Sequence, residues 1–372
     1  MKKIIGILVL ILCLFNAEAK SMKKVKLAYI RSTWELDNGQ YWKAEDIKGN
    51  LLTDLNISFA YIDRKGQVQL ENKEYIKKQI SKLHEIYPDL RINISIGGWG
   101  AEGFSDAASN EKKRSVFVQS TLKLIKEMDL NGVDIDWEFP VGPDWGQPIK
   151  SSPKDKENYV YLLEDLKKTL DGEEKLTGKQ FILTTAIPSN MWFIEKNDVK
   201  AVSRICDYIN LMCYDYYGDW TDTTGFNASL YTNPYDPVGW SSDTCFKLYI
   251  KKGIPAEKIV LGVPTYGFAW SGIVDNGTHG LFQKKGVFLG NFDYTELETK
   301  FSVGFEDYFD EISKQSYRYN SKEKIFVNYP SEKFMKAAAA YVKENHLAGI
   351  MYWEYGHDMK SELLQAISKA ME

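Results

Sequence analysis

The residues with the clearest chemical potential lie in Asn131-Gly132-Val133-Asp134-Ile135-Asp136-Trp137-Glu138-Phe139-Pro140. Along a β-strand, side chains alternate between the two faces. Asp134, Asp136 and Glu138 then share one face, with Val133, Ile135 and Trp137 on the other. Three carboxyl groups on one face repel, and closely spaced acids cannot all ionise, so at least one is pushed towards neutrality. A carboxylic acid kept protonated near pH 7 is what cleavage of a glycosidic bond requires. A solvated surface strand would also tolerate the acids, but the apolar opposite face calls for packing on both sides. A metal site of three carboxylates is the other rival, and it would want further oxygen ligands nearby that the sequence does not clearly offer.

Such a strand needs neighbours that bury it. Short apolar, β-rich runs alternate with helical patterns along the chain, as in a parallel sheet of βα units. Eight runs qualify: Val25–Ile30, Ile57–Ile62, Ile92–Ile96, Val133–Trp137, Phe181–Ala186, Tyr208–Tyr214, Ile259–Val263 and Gly349–Trp353. Amphipathic stretches at Glu111–Glu127, Lys154–Leu170 and Lys333–Glu344 fit the intervening helices. The expected fold is α/β, a (β/α)8 TIM barrel, although eight units alone do not exclude a doubly wound sheet. The interval between the seventh and eighth runs exceeds what one helix needs. It alternates strand-like pieces with Asn, Gly and charged turns, so residues 271–330 are expected to form a small α+β insertion. The barrel would comprise 20–270 and 331–372.

The 372 residues are 44% hydrophobic, enough for a large core. The net charge is −4 with no basic block, which argues against nucleic acid as the partner. Lys2 and Lys3 precede an apolar run, Ile4–Phe15, and Ala17-Glu18-Ala19 fits a small-residue cleavage site. Residues 1–19 therefore read as a signal peptide, with secretion to an extracellular or periplasmic space and no later membrane span expected. Beyond Cys13, an odd set of three cysteines remains, Cys206, Cys213 and Cys245, which allows at most one disulfide. The four histidines are scattered without ligand spacing, so neither metal nor cofactor is expected. Ten Trp and 23 Tyr suit both a filled core and a groove of flat rings for a sugar's C–H faces.

The acidic stretch resembles the strand-four motif Asp-x-x-Asp-x-Asp-x-Glu of the family-18 chitinases among the glycoside hydrolases. Other segments match that family in order. Ser95-Ile96-Gly97-Gly98, followed by Trp99, is similar to its strand-three element, and Met212-Cys213-Tyr214-Asp215 to its strand-six element. Gly262-Val263-Pro264-Thr265-Tyr266-Gly267 corresponds to strand seven, and Gly349-Ile350-Met351-Tyr352-Trp353-Glu354 to strand eight. The resemblance implies a retaining, substrate-assisted hydrolysis of N-acetylglucosamine polymers, in which the acetamide oxygen attacks the anomeric carbon. It assigns Glu138 as acid and base and Asp136 to the acetamide N–H. Asp134 would tune Asp136, and Tyr214 would donate to the acetamide oxygen, with Asp215 beside it. Trp353 would floor the cleavage subsite, and Met212, Tyr266 and Tyr29 are further candidates for lining it. Trp99 and Trp220 are candidate sugar platforms, while Ser95, Gly97 and Gly98 read as structural. The partner implied is an N-acetylglucosamine-containing oligosaccharide or polysaccharide, met by a monomer.

Two positions depart from the family pattern. Asn131 replaces the first motif Asp, at the start of the strand. Phe268 stands where such chitinases usually carry Arg after Tyr-Gly, so a sugar contact is expected to be lost there and an apolar surface left. A sugar-binding relative without activity remains a rival, although such relatives typically lose the motif Glu. So does an endo-N-acetylglucosaminidase acting on N-glycans or peptidoglycan.

Overall fold

The computed structural model describes residues 24–33, 41–144, 146–147 and 149–372. The expected leader lies outside them. Eight parallel strands close into a barrel: Val25–Arg31, Asp54–Ile62, Arg91–Gly97, Gly132–Asp136, Ile182–Pro188, Tyr208–Met212, Ile259–Pro264 and Gly349–Trp353. Each pairs with its sequence neighbours, and the first pairs with both the second and the eighth, so no edge is left open. The TIM barrel expected from the alternating pattern is therefore the fold.

Outward-facing Val133 and Ile135 are fully buried against the helical layer, which includes Glu111–Met128, Asp155–Thr177 and Glu332–Glu344. Trp137 stacks on Phe104 at 5.2 Å and meets Tyr159 edge-on, so it serves helix packing as expected. Helix Glu111–Met128 starts where the Asn110 side chain accepts from the Lys113 N–H and stops at Asp129, which takes a left-handed conformation.

Two strand ends fall short of the hydrophobic runs. Strand four stops at Asp136, not Trp137. Strand six stops at Met212, not Tyr214, because its pairing to strand seven ends at Leu211 and the chain turns at Asp215, with φ of 60°.

Between strands seven and eight lies an antiparallel five-stranded sheet. Its order is Val287–Asp293, Tyr266–Ser271, Ile325–Tyr329, Gln315–Asn320 and Glu306–Asp310, and helix Tyr294–Lys300 packs on it. The insertion begins at Tyr266 rather than at 271, since strand seven breaks after Pro264 and the next strand starts almost at once. Period-two alternation divides that strand. Tyr266, Phe268 and Trp270 join one cluster with Phe226, Tyr317 and Phe326, while Ala269 faces another with Leu297 and Phe301. Gly267 permits this, because a Cβ there would lie 1.9 Å from the Asn328 carbonyl oxygen. Cys206, Cys213 and Cys245 are buried free thiols. No helix among the described residues is long and apolar enough to cross a membrane.

Candidate active site

The acids of strand four sit where the barrel opens. Asp134 is fully buried and receives four hydrogen bonds, each from a different strand. Tyr29 Oη donates from strand one at 2.8 Å, Ser95 Oγ from strand three at 2.7 Å, Thr184 Oγ1 from strand five at 2.6 Å and Asn210 Nδ2 from strand six at 3.1 Å. The register explains the convergence, for Ser95, Asp134 and Thr184 occupy one layer of the barrel. Burial pushes the Asp134 carboxyl up, and these donors oppose that by favouring its charged form.

Asp136, two residues on, has a different environment. It is 4% exposed, and its Oδ1 has no hydrogen-bond partner among the described residues. Burial, then Glu138, then Asp134 hold its pKa well above the usual carboxylate range. Glu138 is half-buried just past the end of the strand, and burial together with the charge of Asp215 pushes it up to about 8. The site thus holds a shared proton inventory in which Asp134 is best suited to ionise and Glu138 to stay protonated at neutral pH. Gln147 braces the residue after the acid, accepting from Phe139 N–H at 3.1 Å and donating to the Phe139 carbonyl at 3.2 Å.

Asp215 reaches the cleft although strict alternation would send it away from Tyr214. It lies beyond the strand end in a left-handed turn, and its Oδ1 accepts from Tyr266 Oη at 2.6 Å. The crowded mouth pushes Asp215 up to about 6, against that hydrogen bond. Burial, then Asp136, Asp215 and Glu138, raise Tyr214 well above the ordinary phenol range, so it remains a proton donor. Trp353 is half-buried, stacked on Phe59 at 5.5 Å and met edge-on by Tyr29. Met212, Tyr214 and Trp353 are partly buried and all pack on the same apolar cluster.

The remaining candidates divide. Trp99 and Trp220 are 70% and 64% exposed, as a stacking platform must be. Tyr29 and Tyr266 are nearly fully buried and spend their hydroxyls on Asp134 and Asp215. They therefore hold acids in place rather than present a face to a ligand. Phe268 is 4% exposed and leaves no open apolar surface: Tyr266, Trp270, Phe288 and Trp220 surround its ring. Ser95 is more than a small residue, since it supplies a bond to Asp134. Thr184, Asn210 and Gln147 were not singled out from the sequence. A polar residue alternating with Met212 and Tyr214 on strand six is the signal that could have found Asn210. Among the described residues, no group of three or more His, Cys, Asp or Glu is placed to hold a metal ion.

Comparisons with known proteins place the chain in a family. Chitinase A1 of Niallia circulans is 32% identical over 77% of this chain and 43% of its own length, so the chain spans less than half of that relative. Chitotriosidase-1 of Mus musculus is 30% identical over 83% of the chain and 67% of that protein. The solved structure of a glycoside hydrolase family 18 N-acetylglucosaminidase from Paenibacillus barengoltzii superposes with a TM-score of 0.84 at 34% identity, covering 93% of this chain and 99% of that one. The profile of Glycosyl hydrolases family 18 matches residues 27–358, and the chain belongs to that family.

Proposed function

We propose that this protein is a secreted, retaining glycosidase that hydrolyses β-1,4-linked N-acetylglucosamine chains, chitin or chitooligosaccharides, with Glu138 as general acid and base. The observation that carries the reading is the contrast along strand four. A carboxyl pushed up to about 8 lies just past the strand's end, beside a buried carboxyl whose Oδ1 has no partner among the described residues. Glu138 gives its proton to the leaving oxygen as the C1–O bond breaks and the acetamide oxygen bonds to C1. Asp136 takes the acetamide N–H through its unpartnered oxygen and stabilises the cationic oxazolinium, while Tyr214 donates to the acetamide oxygen. Water then attacks C1 as Glu138 takes its proton and the C1–acetamide oxygen bond breaks, returning its electron pair to the acetamide, and the two inversions give net retention. Secretion rests on the leader-like residues 1–19.

Proton NMR of fresh hydrolysate tests the mechanism, with the β-anomer as first product expected. An α-anomer, or efficient cutting of fully deacetylated chitosan, would overturn it, because an ammonium group cannot attack the anomeric carbon. A second reading, an N-acetylglucosaminidase, is favoured by the match to nearly the whole of the Paenibacillus enzyme. Products from chitooligosaccharides, a high-mannose glycoprotein and peptidoglycan, compared side by side, separate these substrates.

A further inference from the structure

The turn at Asp215 is left-handed, a backbone that costs a residue other than glycine some energy, although Asp enters it more readily than most. A partner able to hold it there lies twelve residues later, in a segment that runs from strand six towards helix Ser242–Lys251. Asn227 is 2% exposed, and its side chain spends both ends of its amide. Its Oδ1 accepts from the Asp215 N–H at 2.8 Å, and its Nδ2 donates to the Tyr266 carbonyl at 3.2 Å. Its own carbonyl accepts from the Tyr216 N–H at 3.1 Å. Tyr266 in turn donates from its hydroxyl to Asp215 Oδ1 at 2.6 Å. The contacts form a closed ring, from the Asp215 backbone through Asn227 and Tyr266 back to the Asp215 carboxylate.

We propose that Asn227 is a positioning residue for the reaction. It locks Asp215 in its turn and ties it to the insertion sheet, so that the Asp215 carboxylate is held over the mouth of the barrel beside Glu138. The inference rests on the functional reading above and assigns to that site a residue that never touches substrate. The buried amide can do this because each of its groups has one partner and little alternative. Hydrophobic packing alone would not select the left-handed turn. The titratable groups facing Asp215 are Tyr214 beside it, Tyr266 from the insertion, and Glu138 just past the end of strand four. None of these is a cation, so the position of Asp215 is set by hydrogen bonds rather than by an ion pair.

A double-mutant cycle on a chitooligosaccharide substrate reads the coupling. Asn227→Ala should lower kcat by roughly 10- to 100-fold with KM changed by less than about threefold, as displacement of a group beside the reacting atoms does. In an Asp215→Asn background the same substitution should cost less than about twofold, because coupled residues are not additive. Equal losses in the two backgrounds would overturn the proposal, since a merely structural role adds. Asn227→Asp, which keeps the acceptor and loses the donor to Tyr266, supplies a variant of nearly the same shape if the alanine form folds poorly, and the same non-additivity is expected of it. A crystal structure of the alanine variant should show Asp215 out of its left-handed turn, and one of the aspartate variant, which keeps the acceptor for the Asp215 N–H, should show Tyr266 parted from residue 227 and from the Asp215 carboxylate. An unmoved Asp215 in the alanine variant would refute the role. That readout needs no substrate, so it decides the question even if the wild-type enzyme cuts no N-acetylglucosamine oligomer, a result that would instead defeat the functional reading.

Discussion

The barrel floor around Asp134 and the insertion wall around Phe268 border the same cleft and are held by opposite means. The floor is polar, and four directional bonds converge there on a single carboxylate. The wall is apolar, a run of rings in edge-on and tilted contact with few hydrogen bonds between them. Directional bonds fix a charge to a fraction of an ångström and penalise any loss steeply, whereas ring packing spreads its stabilisation over many weak contacts. The floor should therefore be brittle to single substitutions and the wall forgiving. Asp136, buried with its Oδ1 unpartnered among the described residues, and half-buried Glu138 stand between the two regimes.

Substitution at the mouth tests the comparison most severely. Glu138→Gln removes the proton donor with little change in shape, so kcat should fall by at least about 10³-fold while oligosaccharide binding persists. Calorimetric titration beside a rate assay separates the two, and an equal loss of both would contradict the assignment. Asp136→Asn should cost about 10²- to 10³-fold in kcat, since the developing oxazolinium loses the carboxyl group that can ionise beside it. A near-normal rate would make Asp136 structural and erase the distinction between the floor and the mouth.

One step down, Asp134→Asn turns an amide N–H₂ towards donors that expect an oxygen. Urea unfolding should show a loss of about 2–4 kcal/mol, with turnover falling as well, because the buried donors go unsatisfied. Unchanged stability would mean that the four bonds are not what holds the floor.

Where floor and wall meet, the pH profile is the readout. The rate should fall as pH rises through about 8, as Glu138 loses the proton it must deliver. The negative Asp215 disfavours a second negative charge and so raises Glu138. Asp215→Asn should then move the alkaline limb to lower pH, whatever it does to the maximum rate. A limb that stays in place or moves up would detach Asp215 from the acid.

How far the sequence carries this comparison depends on the type of interaction. The barrel was legible because short apolar, β-rich runs alternating with helical patterns must be buried between helices, and Asp134, Asp136 and Glu138 stood out because alternation puts costly like charges on one face. The convergence on Asp134 was hidden, for the donors lie on different strands: only the inter-strand register aligns Ser95 and Thr184 with it, and Asn210, paired with Ala186, reaches it from the next layer. The extent of strand six was overread through Tyr214, since hydrophobicity continues past the last paired residue. Asn227 carries no local signal, because its two partners are Asp215 and a residue of the insertion.

The mildest effect is expected on the wall. From sequence, Phe268 read as a lost sugar contact that Arg would restore, yet its ring is enclosed, and the exposed Trp220 leans on it at 6.0 Å. Gly218 also lies against that platform, for a Cβ there would come within 2.3 Å of the Trp220 ring. Phe268 is therefore expected to act through Trp220, which is 64% exposed. An arginine would place a charge among Tyr266, Trp270 and Phe288 or push Trp220 outward, so Phe268→Arg should not improve the cutting of long oligomers. Phe268→Leu is the gentler probe, since it keeps an apolar filling and removes only the ring contacts, each worth about 0.5–1.5 kcal/mol. A Tm lower by a few degrees is expected, with KM rising about two- to fivefold for oligomers long enough to reach Trp220, kcat nearly unchanged and the shortest substrates unaffected. A uniform rise in KM at every chain length would show that Phe268 supports the whole cleft, and a gain with Phe268→Arg would restore the view of this position as a missing subsite.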